Sequence, residues 1–250
     1  MPAVKDFLDN IRNAIFAEDV NSQRLELPPI PKVWQDDNDT NSELSEEELL
    51  EQFRINLEKL NGEFFLCDDF NNLVLQVAKI LRENKSDEIK IIVSSNPLAC
   101  QVADQLQSVV DGLVVSGGGK LRLTFYFEPF MGELNLSELA SCDFGIVAAE
   151  SLLADTGSGV FQASSRFERL AVYLPPVSVV IAGRGKLAKN LPAAWQKLNT
   201  EIKNQKTGEF VIVTGPSRTA DIEKILILGV HGPRRVLFTI YPDNLTNEQS

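Results

Sequence analysis

The stretch EFFLCDDFNNLVLQVAKILRENKSDEIKIIV, residues 63–93, reads as strand, helix, strand. Residues 63–66 form a short apolar strand. Leu73, Val74, Val77 and Leu81 recur at helical spacing over 70–82. Residues 89–93 are a short apolar run of the kind that fills the middle of a sheet. Two strands joined by a helix are the repeating unit of a parallel α/β sheet.

The same alternation continues downstream. The pattern predicts a helix over 97–106 and strands over 113–115 and 144–148. Closely spaced strands follow over 159–161, 171–174 and 178–181. A helix over 187–202 contains Trp195. A strand over 210–213, a helical stretch over 220–228 and a last strand over 236–241 complete the domain. The fold class is α/β: a mixed, mostly parallel sheet flanked by helices, with a run of strands near its middle.

Upstream, Ser45 and Glu48 fit a capping box, and Leu50, Phe53, Leu57 and Leu60 form the apolar stripe of the helix it starts. Residues 18–42 read as a solvated linker, with Leu27-Pro28-Pro29-Ile30-Pro31 followed by Asp36-Asp37-Asn38-Asp39. Val4, Leu8, Ile11 and Ile15 predict a short amphipathic helix over 3–17. Residues 1–42 are therefore expected to be an N-terminal helical arm with an acidic, proline-containing linker. Residues 43–250 are expected to be the α/β domain.

Charge narrows the function classes. The 250 residues carry 24 Lys and Arg against 35 Asp and Glu, a net charge of −11. Eight of those acids lie between Asp36 and Glu51 with no base among them, and the remainder is nearly neutral. Such a chain is repelled by phosphate backbones, which argues against nucleic acid as a partner. Cys67, Cys100 and Cys142 lie too far apart for a CxxC pair, so no zinc or iron–sulfur ligand set is expected from this chain. A sparse, odd count suits free thiols in a reducing cytoplasm. Residues 1–6 lack a secretory apolar core, and no run of about 18 apolar residues predicts membrane insertion.

In α/β sheets, ligands gather at the carboxyl ends of strands. Four loops qualify: Ser94-Ser95-Asn96, residues 150–158, Gly183-Arg184-Gly185, and residues 215–223 with 229–233 beside them. Two tempting motifs fail. Ser116-Gly117-Gly118-Gly119-Lys120 lacks the first glycine and the following hydroxyl of a phosphate loop. Gly183, Gly185 and Ala188 have the spacing of a dinucleotide turn, but no strand-ending acid follows about 20 residues on. His231 is the sole histidine, which excludes a multi-histidine metal site within the chain.

Residues 211–233 carry the most information. Gly215-Pro216 ends a strand sharply, Thr219 is a candidate N-cap, and Asp221 and Glu223 fall in the following first turn. Arg218 can hold a substrate carboxylate in its fork, or pair with Asp221 or Glu223 and lock the loop. Gly229-Val230-His231-Gly232-Pro233 presents a histidine that can shuttle protons or simply cap a surface turn.

The segments GPSRTADIE and LGVHGP within residues 214–233 closely resemble the signature of the LUD-domain family, in its lactate-utilisation protein C branch. Ala154-Asp155-Thr156-Gly157-Ser158 is similar to a second family segment, with Asp155 where glutamate is common and Ser158 for the frequent threonine. Residues 169–187 resemble a family strand pair. The resemblance covers roughly 43–250. It implies a fold related to the NagB/RpiA/CoA-transferase group. It also implies a role in oxidising L-lactate to pyruvate beside an iron–sulfur subunit and a cysteine-rich subunit. Side chains cannot accept the two electrons. With no cofactor expected in this chain, the clusters would belong to those partners.

On this reading, Glu150, Asp155, Thr156 and Ser158 line one side of a site for a small carboxylate. Ser217, Arg218, Thr219, Asp221 and His231 line the other. His231, Asp221 or Glu150 would handle the proton. Gly157, Gly215, Gly229 and Gly232 are expected to serve backbone geometry. An alternative from fold analogy makes Glu150 the nucleophile of an acyl- or CoA-transfer enzyme, and a third makes the chain a scaffold that binds its redox partners.

Overall fold

A computed structural model describes residues 44–84, 86–112, 121–128, 135–201, 209–220, 226–228 and 232–243. The expected helix over 3–17, its linker, the strand over 113–115 and the glycine turn 116–120 lie outside the described residues, as do Asp221, Glu223, Gly229 and His231.

The helix α1 (Glu46–Lys59) starts at the capping box: Glu48 N donates to Ser45 Oγ at 3.2 Å, and Ser45 N donates back to the Glu48 carboxylate at 2.8 Å. Its stripe buries Leu50, Phe53 and Leu57. Then come β1 (Glu63–Leu66), α2 (Phe70–Arg82), β2 (Glu88–Val93), α3 (Pro97–Gly112), β3 (Arg122–Tyr126), a one-turn α4 (Leu136–Leu139) and β4 (Phe144–Ala148). The middle of the chain holds β5 (Ser151–Leu153), β6 (Ser158–Ala163), α5 (Arg166–Tyr173), β7 (Val177–Gly183), β8 (Leu187–Ala188), α6 (Leu191–Glu201) and β9 (Glu209–Val213). A hairpin of β10 (Arg218–Ala220) and β11 (Leu226–Leu228) precedes β12 (Arg235–Tyr241).

Six strands pair in the order β1-β12-β7-β4-β2-β3, every pairing parallel. Side chains alternate between the two faces, as strand geometry requires. Ile89, Ile91 and Val93 of β2 pack with α2 and α3, whereas Ile92 faces the side where α1 and α5 lie. On that second side sits a smaller sheet, β8-β5-β6-β9, with antiparallel β5–β6 and β6–β9 pairs and a parallel β5–β8 pair. Leu152 and Phe161 of this sheet, with Ala154 in the turn after β5, pack against Phe53, Phe238 and Leu57, and α6 covers its other face. The expected architecture, a mostly parallel sheet flanked by helices with a run of strands in the middle, is what the chain adopts. Among the described residues, no helix is long and apolar enough to cross a membrane.

Three element predictions are corrected. Residues 171–174 are not a strand but the end of α5. Ser165 caps that helix by accepting from Glu168 N, and Phe167, Ala171 and Val172 form its buried face. The helix expected over 187–202 begins only at Leu191. Leu187–Ala188 first pairs with β5, and Asn190 Oδ1 then accepts from Ala193 N. The helical stretch expected over 220–228 is replaced at both ends by strand: Thr219 pairs with Ile227 in an antiparallel hairpin, so Thr219 is not a helix cap. The strands β3 and β5 were not expected at all.

Candidate functional site

The chain enters the six-stranded sheet at one edge, steps to β2, moves outward to β3, then returns to β4 and continues through β7 to β12. Connections therefore diverge between β2 and β4, and the crevice beyond their carboxyl ends is the topological switch point. The loop 94–96 after β2 and residues 149–150 after β4 face each other there. Asn96 stands directly before α3, and its Oδ1 accepts from Leu98 N at 3.0 Å. Its Nδ2 donates across the gap to Glu150 Oε1 at 3.2 Å. Lys186, just past β7, places Nζ 3.5 Å from Glu150 Oε2. Ser95 gathers two more acids: its N donates to Glu168 Oε1 at 2.6 Å, and its hydroxyl to Glu128 Oε2 at 2.8 Å. Beside them, Gly185 N donates to the Asp243 carboxylate, which closes the Gly183–Gly185 turn on a residue of the chain itself.

A second cluster lies at the opposite edge. Ser158 Oγ contacts Thr156 Oγ1 and Thr214 Oγ1, both at 2.8 Å. Ser217 N donates to Pro233 O at 2.8 Å, just ahead of β12. Asn56 of α1 donates to the carbonyls of Ala154 and Asp155 at 2.9 and 3.0 Å. The Arg218 guanidinium donates to the carbonyl of Leu60, the C-cap of α1, where a cation also suits the negative end of the helix. Gly157 and Gly215 take left-handed φ values of 64° and 71° and lie against Leu57 and Leu60, where a Cβ would collide with or crowd them. Gly232 closes on Ser217. Asp155 is exposed by surface area, yet the packed turn beneath it desolvates the carboxyl. Its pKa is raised on that account, while hydrogen bonds from Thr156 pull the other way.

A family model described as the LUD domain matches residues 50–240. The chain belongs to the LUD-domain family. It is 32% identical over 195 residues to the uncharacterized protein YkgG of Escherichia coli, covering 71% of this chain and 80% of that protein. It is 23% identical over 245 residues to a Bacillus pumilus protein named Lactate utilization protein C, covering 96% of each. The chain spans about half the length of other curated relatives of that name. A crystal structure of a DUF162 family protein from Deinococcus radiodurans superposes with a TM-score of 0.52 at 15% identity, over 79% of this chain and 99% of that one, which shows a shared fold.

Within the LUD domain, the residues singled out by sequence separate into two groups. Glu150 lies at the switch point. Asp155, Thr156, Ser158, Ser217 and Arg218 gather at the far edge, near the start of β1 and β12, where Asn56 and Arg218 fasten the C-terminal end of α1 to the turn 154–155 and to the start of β10. Thr219 sits in the hairpin beside them. Asn96, Lys186, Glu168 and Glu128, which complete the switch-point cluster, were not picked out individually. The loop 94–96 was, because a polar triplet follows a buried strand there. Glu168 escaped notice because its helix, Arg166–Tyr173, is not evident from the apolar run 171–174 that was expected to be a strand. Among the described residues, no group of three or more His, Cys, Asp or Glu is placed to hold a metal ion.

Proposed function

We propose that this chain is a subunit of an L-lactate utilisation system, and that the Asn96–Glu150–Lys186 crevice receives the substrate. Iron–sulfur and cysteine-rich partner subunits would supply the electron acceptor. The observation that carries the lactate reading is the alignment, over 96% of both chains, with a protein named Lactate utilization protein C. The geometry supports the choice of site. Lys186 and the positive end of α3 favour a carboxylate, and Glu150 is a base within reach of the same space. Oxidation of lactate to pyruvate removes two electrons and two protons. The electrons leave for the partners' acceptor, the hydroxyl proton passes to Glu150, and the C2 proton goes to solvent.

The test is a pull-down of the tagged chain from its native host grown on L-lactate, read by mass spectrometry and iron content. Recovery of an iron–sulfur protein and a cysteine-rich protein in fixed ratio is the expected result. Recovery of the chain alone and free of iron overturns the obligate complex.

The position of Glu150 two residues past β4 also favours a second reading, acyl transfer through a carboxylate nucleophile. Incubation with a panel of acyl-CoA thioesters followed by hydroxylamine would convert an acyl-glutamate to a hydroxamate. Absence of that product across the panel removes this reading.

A further inference from the structure

The glycine pair at the end of β7 has a reason that its dinucleotide-like spacing does not supply. Gly183 has ordinary extended backbone, with φ −77° and ψ 155°, which any residue can adopt. What opposes a side chain there is the Asp243 carboxylate: a Cβ on Gly183 or on Gly185 would meet it before any other group. Tyr241, the last residue of β12, pairs with Gly183. The chain beyond it brings Asp243 over the turn, where its carboxylate accepts from Gly185 N. The main chain just past the turn is fixed from another side. Ser151, buried and next in sequence to Glu150, donates its hydroxyl to Lys186 O at 3.1 Å, and Leu187 pairs with Leu152. The root of Lys186 is thus held between the end of β12 and the strand that follows Glu150, and its Nζ stands 3.5 Å from the Glu150 carboxylate. Arg184, on the other flank of Gly185, reaches instead toward Glu46 of α1, at 3.7 Å. The setting of the turn therefore decides which cation faces the crevice.

We infer that Asp243 is a positioning residue for Lys186: by holding Gly185 N it fixes the turn so that Lys186 meets the substrate carboxylate beside Glu150. The inference rests on the crevice reading above and adds the group that keeps its cation in place. A turn with two glycines is the part of the crevice wall with the most conformational freedom to lose. Lysine adds a flexible four-carbon stem to it. A charge-assisted bond to the backbone removes part of that freedom before the ligand arrives. The sign of the effect separates this role from a charge effect. Asp243 is an acid close to an anion site, so by Coulomb's law alone its removal strengthens binding of a carboxylate. Positioning requires the opposite.

The experiment is calorimetric titration of the full chain with L-lactate, with a melting curve for every variant. Lys186→Met should weaken lactate binding roughly 10-fold or more. Asp243→Ala, at an exposed position, should weaken it roughly 5-fold although a negative charge has been removed. Asp243→Asn keeps an acceptor for Gly185 N and should bind within about 2-fold of the wild type. Gly183→Ala pushes the carboxylate out of the turn and should match Asp243→Ala. Adding Asp243→Ala to Lys186→Met should cost less than about 2-fold beyond Lys186→Met alone, since the one acts through the other. A merely structural role would add its full factor in that double variant. Unchanged or tighter lactate binding in Asp243→Ala, an equal loss in Asp243→Asn, or full additivity overturns this inference alone. No lactate binding by the wild type, or undiminished binding in Lys186→Met, overturns it together with the crevice reading.

Discussion

Asn96 joins the two strands on either side of the switch point: one side-chain atom starts α3 through Leu98 N, and another reaches Glu150 at 3.2 Å. One residue thus sets the helix start and orients the crevice carboxylate. Its substitutions separate these tasks.

Asn96→Ala loses both and should lower stability by about 1–2 kcal/mol. Asn96→Asp keeps a good cap but sets a second carboxylate against Glu150. Its stability deficit should be present at neutral pH and shrink below about pH 4, where carboxylates protonate. Urea titrations of both variants at pH 7 and pH 4 check this. A deficit in Asn96→Asp that does not change with pH would show that the Glu150 contact contributes nothing.

Arg218 caps the carbonyl of Leu60, at the opposite edge of the sheet from Glu150. Arg218→Ala should therefore reduce stability by roughly 1 kcal/mol. It should leave affinity for L-lactate unchanged, and Arg218→Lys should recover part of the loss. Melting curves paired with lactate titrations decide. Lost lactate binding with an unaltered melting temperature would return Arg218 to the role of carboxylate clamp.

These two residues also show what was legible in the sequence. The parallel sheet could be read because β2, β4 and β12 are apolar runs that fit few other structures, and α1 because its capping box is local. Residues 166–173 misled because Phe167, Ala171 and Val172 define a helical face, whereas the segment 171–174 alone is merely apolar. The signature Gly215–Thr219 marked a real cluster, but a motif gives residue types and not what they touch. Arg218 faces a carbonyl 158 positions away in the chain, a pairing that only the tertiary fold creates. Lys186 and Asn96 meet at Glu150 for the same reason.

Gly157 lies at a left-handed φ of 64° with the backbone of Leu57 directly over it. Gly157→Ala adds both backbone strain and a clash with main-chain atoms that cannot rotate away. It should cost at least about 2 kcal/mol, more than any substitution above. Chemical denaturation measures it. A loss below 1 kcal/mol would mean that the α1 end separates easily from the second sheet.

The thiols offer a readout independent of any substrate. Burial, reinforced by Asp68 and Asp69, pushes the Cys67 thiol up to about 11 despite Lys79. Burial and Asp143 do the same for Cys142, to about 11, against Lys90. Cys100 is raised as well, again first by burial. Since the thiolate is the nucleophile, the native protein should react slowly with a disulfide reagent at pH 8 and faster as pH rises toward 11. All three thiols should react promptly in denaturant. A fast-reacting thiol at pH 8 in the folded protein contradicts this packing.

Asp155 yields a prediction with a definite sign. Desolvation raises its pKa in the folded state above the ordinary carboxyl value of about 3.9. The folded state therefore binds its proton more tightly than the unfolded chain does. The stability this contributes is complete below the unfolded value and is lost as pH rises through the folded one. At neutral pH the charged carboxylate is a net burden on the turn, despite the hydrogen bonds from Thr156. Asp155→Asn keeps an acceptor for Thr156 without the charge. It should melt at a higher temperature than the wild type at pH 7, and that advantage should shrink as pH falls toward about 4 and level off below it. The measurement is a pair of melting curves at pH 7 and pH 3.5. A variant less stable than the wild type at pH 7 would mean that the ionised carboxylate is held by favourable contacts, and that the turn against α1 depends on its charge.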